Sequence, residues 1–299
     1  MSRSEFKNLP VTTRHDVYPA ISPESYFSGS SATAFRDKVV LVIGASRGIG
    51  LSISTFYARA GAKLAIVSRS QKALDVAKSQ IHLEVKSSAT PEVFSVVADV
   101  TDTNAIAEAV RKVVDKYGRL DIVVANAGTS SPWDKPFVKT DPDVDWWKTV
   151  EVNLRGVYNV AHYSLPHLEK TNGAFVAVSS MAAQINLPFA SAYVVSKAAL
   201  NRFIEYVSIE HPGVKSFTVH PGSIQTEMAL SVLSNWESVP VDTLQLPAAT
   251  ILKLTDGSGR FDWLSGKFVS ANWDLEEVER DWKEKIVNEG LLVTRIVVD

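Results

Sequence analysis

The 299-residue chain contains no cysteine. That absence excludes a disulfide framework, thiolate-bound zinc or iron–sulfur clusters, and a cysteine nucleophile. Long hydrophobic runs are missing too: stretches such as Val39–Ile43 fall far short of the roughly 20 apolar residues a spanning helix needs. Charge of one sign is also lacking. The 31 Lys and Arg oppose 33 Asp and Glu, a formal net charge of −2, which leaves no electrostatic footprint for nucleic acid or an anionic membrane. Neither partner is expected. No apolar segment follows Arg3 and Lys7, and Val297-Val298-Asp299 matches no peroxisomal or ER-retention signal, so a cytoplasmic protein is expected. The six histidines show no paired ligand spacing, so no metal site is expected.

What is present is an ordinary globular composition, 45% hydrophobic and 21% charged. Residues 1–36 are rich in Ser, Thr and Pro and read as an arm draped on the domain, anchored by Val17, Tyr18, Ile21, Tyr26 and Phe27. Full disorder is the competing reading. From Lys38 onward, short β-branched runs alternate with helical patterns. Strands are expected over 39–43, 64–67, 93–98, 122–125, 174–178, 216–220 and 266–270. Helices are expected over 47–60, 71–86, 103–117, 143–168, 192–209 and 248–254. This alternation implies one α/β domain, residues 37–274, a Rossmann-type doubly wound parallel β-sheet flanked by helices. Residues 275–299 form a C-terminal extension whose first part, through 288, is a charged amphipathic helix with Leu275, Val278, Trp282 and Ile286 on one side.

The first strand runs into Gly44-Ala45-Ser46-Arg47-Gly48-Ile49-Gly50. Glycines between a strand and a helix let a pyrophosphate reach backbone amides at the helix N-terminus. The alternative is a plain glycine turn. At the end of the second strand, where an NAD site carries an acid for the ribose 2′-hydroxyl, Ser68 and Arg69 stand instead. With Arg47, they suit a 2′-phosphate through charge-assisted hydrogen bonds. NADP(H) is therefore the expected cofactor; solvated surface arginines are the alternative.

Tyr193 and Lys197 lie four residues apart at the start of an expected helix, which places both on one face. A free phenol, with a pKa near 10, is a poor proton shuttle at neutral pH, and a neighbouring cation favours its ionised form. Ser180 stands 13 residues before Tyr193, after the fifth strand, where its hydroxyl can hold a substrate oxygen. Ser179 is its rival. Asn153 is a polar amide inside an apolar helical stretch, unfavourable there unless it has partners.

Together these motifs resemble the short-chain dehydrogenase/reductase family over about residues 38–270. The resemblance implies a catalytic tetrad of Asn153, Ser180, Tyr193 and Lys197. It assigns adenine contacts to Asp99 and Val100, although Asp99 also reads as a helix N-cap. It assigns cofactor lining to Asn126, Ala127 and Gly128, and nicotinamide contacts to Pro221, Gly222, Ile224 and Thr226. Two positions depart from the family pattern: Ile43 replaces the usual Thr before the first glycine, and Ala125 replaces a common Asn. The two ends of the chain look like the filamentous-fungal branch, whose members are often linked to secondary metabolism or carbonyl reduction.

The family implies a small-molecule carbonyl or alcohol substrate and a homodimer or homotetramer. Met181, Ala182, Ala183, Leu187, Met228, Leu230, Leu233, Trp236, Trp133 and Phe137 suggest a large apolar pocket for a bulky ketone, or ordinary packing under loops. His220 reads as packing beside the nicotinamide, with a catalytic contribution as the alternative, and Trp146 and Trp147 as packing or a subunit contact. The leading activity is NADPH-dependent carbonyl reduction. Alcohol oxidation by the same residues, or a non-redox cofactor-binding protein (cyclase, isomerase or sensor), are its competitors.

Overall fold

The computed structural model describes residues 8–28, 34–85, 91–232 and 241–296. Seven strands form one parallel sheet: β1 Val39–Ile43, β2 Lys63–Ser68, β3 Val93–Val97, β4 Ile122–Ala125, β5 Ala174–Val178, β6 Lys215–His220 and β7 Lys267–Ser270. Their order across the sheet is β3-β2-β1-β4-β5-β6-β7. The strands lie where their apolar, β-branched runs place them. Within β1, Val40 and Val42 enter one core while Val39, Leu41 and Ile43 enter the other. Both faces are covered, as a parallel sheet requires. Helices Gly48–Arg59, Gln71–Glu84 and Gln245–Leu254 supply buried residues to one face. Thr103–Tyr117, Gly156–Glu169 and Ser191–Glu210 cover the other.

The expected helix over 143–168 does not form as one piece. Wide π turns occupy Pro142–Trp147 and Glu151–Arg155, separated by Lys148–Val150, before the α-helix resumes at Gly156. Pro142 starts the segment, and the Asp141 carboxylate accepts from the amides of Asp143 and Val144. Apolar residues recurring every three or four positions mark a helical segment as a whole, and do not mark where its turns widen from α to π. The C-terminal extension behaves likewise, with a π turn over Val278–Trp282 inside the expected helix. Leu275, Val278 and Ile286 are buried as expected, while Trp282 is only partly so.

The described part of the N-terminal segment lies packed against the domain. Tyr18, Ile21 and Tyr26 are core residues, and Thr13 forms an antiparallel bridge with Trp273. Arg14 pairs with Asp274 at 2.6 Å. The Tyr18 hydroxyl donates to the Trp273 carbonyl at 3.1 Å and accepts from the Leu275 amide at 2.8 Å. Tyr18→Phe leaves two buried backbone groups unpaired, each worth ~1 kcal/mol or more. Denaturant unfolding of this variant is expected to show a loss of about 2 kcal/mol; an unchanged midpoint would contradict the packing.

Candidate active site

Sheet order places the site before any side chain is considered. Beyond β1 the sheet continues to β2 and β3; on the other side it continues from β4. Connections therefore diverge at the carboxyl ends of β1 and β4, and ligands of open parallel sheets bind in such crevices. Both strands run there into the motifs described above.

The glycine turn is locked onto the end of β4. Asn126 Nδ2 donates to the Gly44 carbonyl at 2.9 Å. A Cβ on Gly50 would lie 2.2 Å from that same oxygen and 2.5 Å from Asn126 Nδ2, so no other residue fits. Ala127 lies so close to Gly44 that a Cβ there would meet its backbone at 2.8 Å. The helix opening at Gly48 presents its first amides beside this turn. Ser46 and Ile49 are half-buried, and Ile49 packs on the core below. Arg47 is exposed, with Nη1 2.5 Å from Glu227 Oε2.

Ser68 closes β2, and exposed Arg69 follows, its Nη1 4.0 Å from Asp99 Oδ2. The N-cap reading of Asp99 fails, because Asp102 caps the next helix by accepting from Ala105 N. Asp99 instead accepts from the Thr101 amide and hydroxyl. Burial works to raise its carboxyl, but those bonds and Arg69 outweigh it and hold it below the ordinary value. Val100 is buried against Gly156, and its carbonyl accepts from Asn159 Nδ2 at 2.8 Å.

Helix Ser191–Glu210 carries Tyr193 and Lys197 to the end of β5. Lys197 is buried; its Nζ donates to the carbonyl of Val178 at 2.7 Å and lies 5.9 Å from the Tyr193 ring centroid. Ser180 follows two residues later, close enough to the Tyr193 phenol to favour its ionised form, and accepts from Ala182 N. Ser179 is committed elsewhere, donating to Asn201 Oδ1 at 2.6 Å. Asn153, fully buried in the π turn, accepts from Thr129 N and donates to Thr129 O and Ser196 Oγ. Ser196 in turn donates to the Tyr193 carbonyl at 2.7 Å. Asn153 Oδ1 and Lys197 Nζ both approach Gly128, at 3.4 and 3.7 Å from where its Cβ would stand.

The turn after β6 completes the rim. Pro221 and Ile224 are buried, and Thr226 Cγ2 lies 3.6 Å from where a Gly48 Cβ would stand. The Trp133 ring leans over Tyr193, centroids 5.8 Å apart at 48°, with its Nε1 donating to Ser130 Oγ. Met181, Leu187 and Met228 are half-buried, while Phe137 and Leu230 are exposed. Leu233 and Trp236 lie outside the described residues. Trp146 donates to Ser191 Oγ and packs edge-on to Trp147. Among the described residues, no group of three acidic or histidine side chains is arranged to hold a metal ion.

The short chain dehydrogenase family model matches residues 38–236. The chain belongs to the short-chain dehydrogenase/reductase family. It is 36% identical over 295 residues to the short chain dehydrogenase citE of Monascus ruber, covering 96% of this chain and 95% of that protein. It is 35% identical to the short chain dehydrogenase andI of Emericella variicolor, covering 97% of each. Among solved structures, it resembles the alcohol dehydrogenase of the archaeon Thermococcus sibiricus, complexed with 5-hydroxy-NADP. That match has a TM-score of 0.66 and 29% identity, and covers 74% of this chain and 92% of that one.

Sequence reasoning about this short-chain dehydrogenase missed Thr129 and Ser196, which take up the Asn153 amide. Ser196 sits between Tyr193 and Lys197, and its position there was the available signal. Electrostatics departs from expectation as well. Lys197 was expected to draw the phenol down, yet burial pushes Tyr193 above its ordinary value, with Ser180 working against that. The cation is committed to the Val178 carbonyl, and burial lowers its own pKa to about 8. His220, at the end of β6, accepts from Met181 N at 3.1 Å. Burial lowers its pKa to about 4, against a smaller opposing effect of Asp242.

A histidine with a depressed folded pKa contributes stability that is present above its unfolded value and lost as pH falls toward the folded one. Wild-type unfolding free energy is expected to lose ~3 kcal/mol more than that of His220→Asn between about pH 6.5 and about pH 4. Parallel pH profiles for the two proteins would contradict this assignment.

Proposed function

We propose that this enzyme is an NADP(H)-dependent ketone reductase and secondary-alcohol dehydrogenase with Tyr193 as its general acid and base. The observation that carries this reading is the meeting of Tyr193, Lys197 and Ser180 at the carboxyl end of β5. The residues at the switch point fit a dinucleotide. Gly50, where a Cβ would meet the Gly44 carbonyl at 2.2 Å, lets the glycine turn fold tightly against its helix, and Ser68 rather than an acid closes β2. A bound reduced nicotinamide supplies the hydride.

The chain's own residues supply the rest. Ser180 holds the carbonyl oxygen beside the phenol. Tyr193, kept neutral by burial, gives its proton to that oxygen. Lys197 offsets the negative charge left on the phenolate. In the oxidative direction, the phenolate takes the proton from the alcohol. Asn153 fixes the loop after β4 to the helix that carries Tyr193. Trp133 over Tyr193, with Met181 and Met228 nearby in sequence to the site elements, favours a bulky, mainly apolar ketone. Exposed Tyr158, Tyr206 and Ile209 on the two long helices support a homo-oligomer.

Arg47 and Arg69 are the proposed contacts of the 2′-phosphate, in keeping with the NADP derivative held by the archaeal relative. Glu227 competes for Arg47. Arg69→Ala is expected to lower the ratio of kcat/KM for NADPH over NADH about tenfold, and Glu227→Gln to raise it. A wild-type preference for NADH would overturn the cofactor assignment. Tyr193→Phe should lose about 100-fold or more in kcat while its NADPH affinity, read by fluorescence titration, stays within about twofold. An undiminished rate would remove Tyr193 from the chemistry. As pH rises through about 8, Lys197 loses its charge and the phenol becomes a weaker acid. Reductive kcat/KM is therefore expected to be level below about pH 7 and to fall above about pH 8.

A further inference from the structure

The turn after β6 leans on a junction that the tetrad does not use. Asp242 is a buried carboxylate. Its Oδ2 accepts from Ser223 N, and its Oδ1 accepts from His15 Nδ1 at 2.6 Å. Asp242 N donates back to the Ser223 carbonyl at 3.0 Å. Gly222 has a φ of +101°, and a Cβ there would lie 2.5 Å from Asp242 Oδ2. The carboxylate therefore sits directly against the backbone of the turn, and only glycine admits it.

The N-terminal segment holds the other side of this junction. Thr243 N donates to the His15 carbonyl at 3.0 Å, and the Thr243 hydroxyl donates to Asp16 Oδ1 at 2.6 Å. The Leu244 carbonyl accepts from the hydroxyl of Ser52, on the helix that follows the glycine turn. One short stretch, 242–244, thus joins the N-terminal segment, the turn after β6 and the glycine-turn helix. His15 is about half exposed, so its ring is not there to fill the core.

We propose that His15 and Asp242 form a clasp that positions the Pro221–Thr226 turn, making His15 a positioning residue supplied by the N-terminal segment. A charge-assisted bond at each end of one buried carboxylate transmits the placement of His15 to the Ser223 amide. The consequence for catalysis rests on the proposed cofactor reading, in which this turn contacts the nicotinamide. The clasp itself does not.

The test uses the full chain and three variants, His15→Ala, His15→Gln and Asp242→Asn. Hydrogen exchange without added nucleotide reads the clasp directly. His15→Ala and Asp242→Asn are expected to speed exchange at the Ser223 amide about tenfold, with β5 amides unchanged. His15→Gln, which keeps a donor, is expected to restore most of the protection. With NADPH as probe, His15→Ala should weaken binding severalfold and lower kcat more than it raises the KM of the carbonyl. Unchanged exchange at Ser223, or a rise shared equally by β5 and β6, would overturn the clasp. Should wild type fail to bind NADPH, the cofactor reading fails alone, and the exchange result still decides the clasp.

Discussion

A parallel sheet buried on both faces sends every strand's carboxyl end to the same edge, and there the chain must leave without a ladder partner. Everything at the candidate site follows from that constraint. β1 leaves through a turn closed by the Asn126 amide on the Gly44 carbonyl. β4 leaves through a loop held by the Asn153 amide at Thr129. β5 leaves past the Val178 carbonyl, which takes the Lys197 ammonium. β6 leaves through a turn held by the Asp242 carboxylate at Ser223. Each of these four exits uses one polar side chain, buried at Asn153, Lys197 and Asp242 and half-buried at Asn126, on backbone groups that the sheet itself leaves without partners.

This arrangement explains why the polar side chains at the edge are so fully occupied. Asn153 makes three bonds, all to groups on other elements. Lys197 stands close to Gly128, so the loop after β4, the helix of Tyr193 and the end of β5 converge at one point. Such a lattice suits chemistry that needs a proton donor held to within fractions of an ångström of its acceptor.

The strands and their faces were legible because β-branched runs without alternation have few other uses. The glycine turn, Tyr193, Lys197 and Ser180 were legible because their spacing matched the ends of those strands. Ser180 was separable from Ser179 only by spacing in the sequence; in three dimensions the difference is physical, since Ser179 already donates to Asn201. Asp99 also read as an N-cap beside its favoured adenine-contacting role, and only the geometry shows Asp102 as the cap. The π turns around Asn153 left no trace in the apolar pattern. The junction of His15 with Asp242, 227 residues apart, was invisible for a simpler reason. Among the described residues, the side-chain partners of His15 and Asp242 are distant in sequence, so no short-range pattern marks the junction.

Burial is the common cause of the site's electrostatics, and it acts in one direction. It disfavours charge on Tyr193, on Lys197 and on His220. Tyr193 has an ordinary pKa near 10, so raising it simply keeps the proton in place. Lys197 starts near 10.5, so falling to about 8 still leaves it charged at neutral pH. His220 starts near 6.5, so falling to about 4 keeps it neutral and able to accept from Met181 N. Burial thus leaves a neutral phenol, a charged ammonium and a neutral imidazole, because the three groups begin at different distances from neutrality. Under the proposed function, no separate device is needed to set each protonation state. Burial sets the direction of each shift, and the starting pKa decides what that direction means at neutral pH.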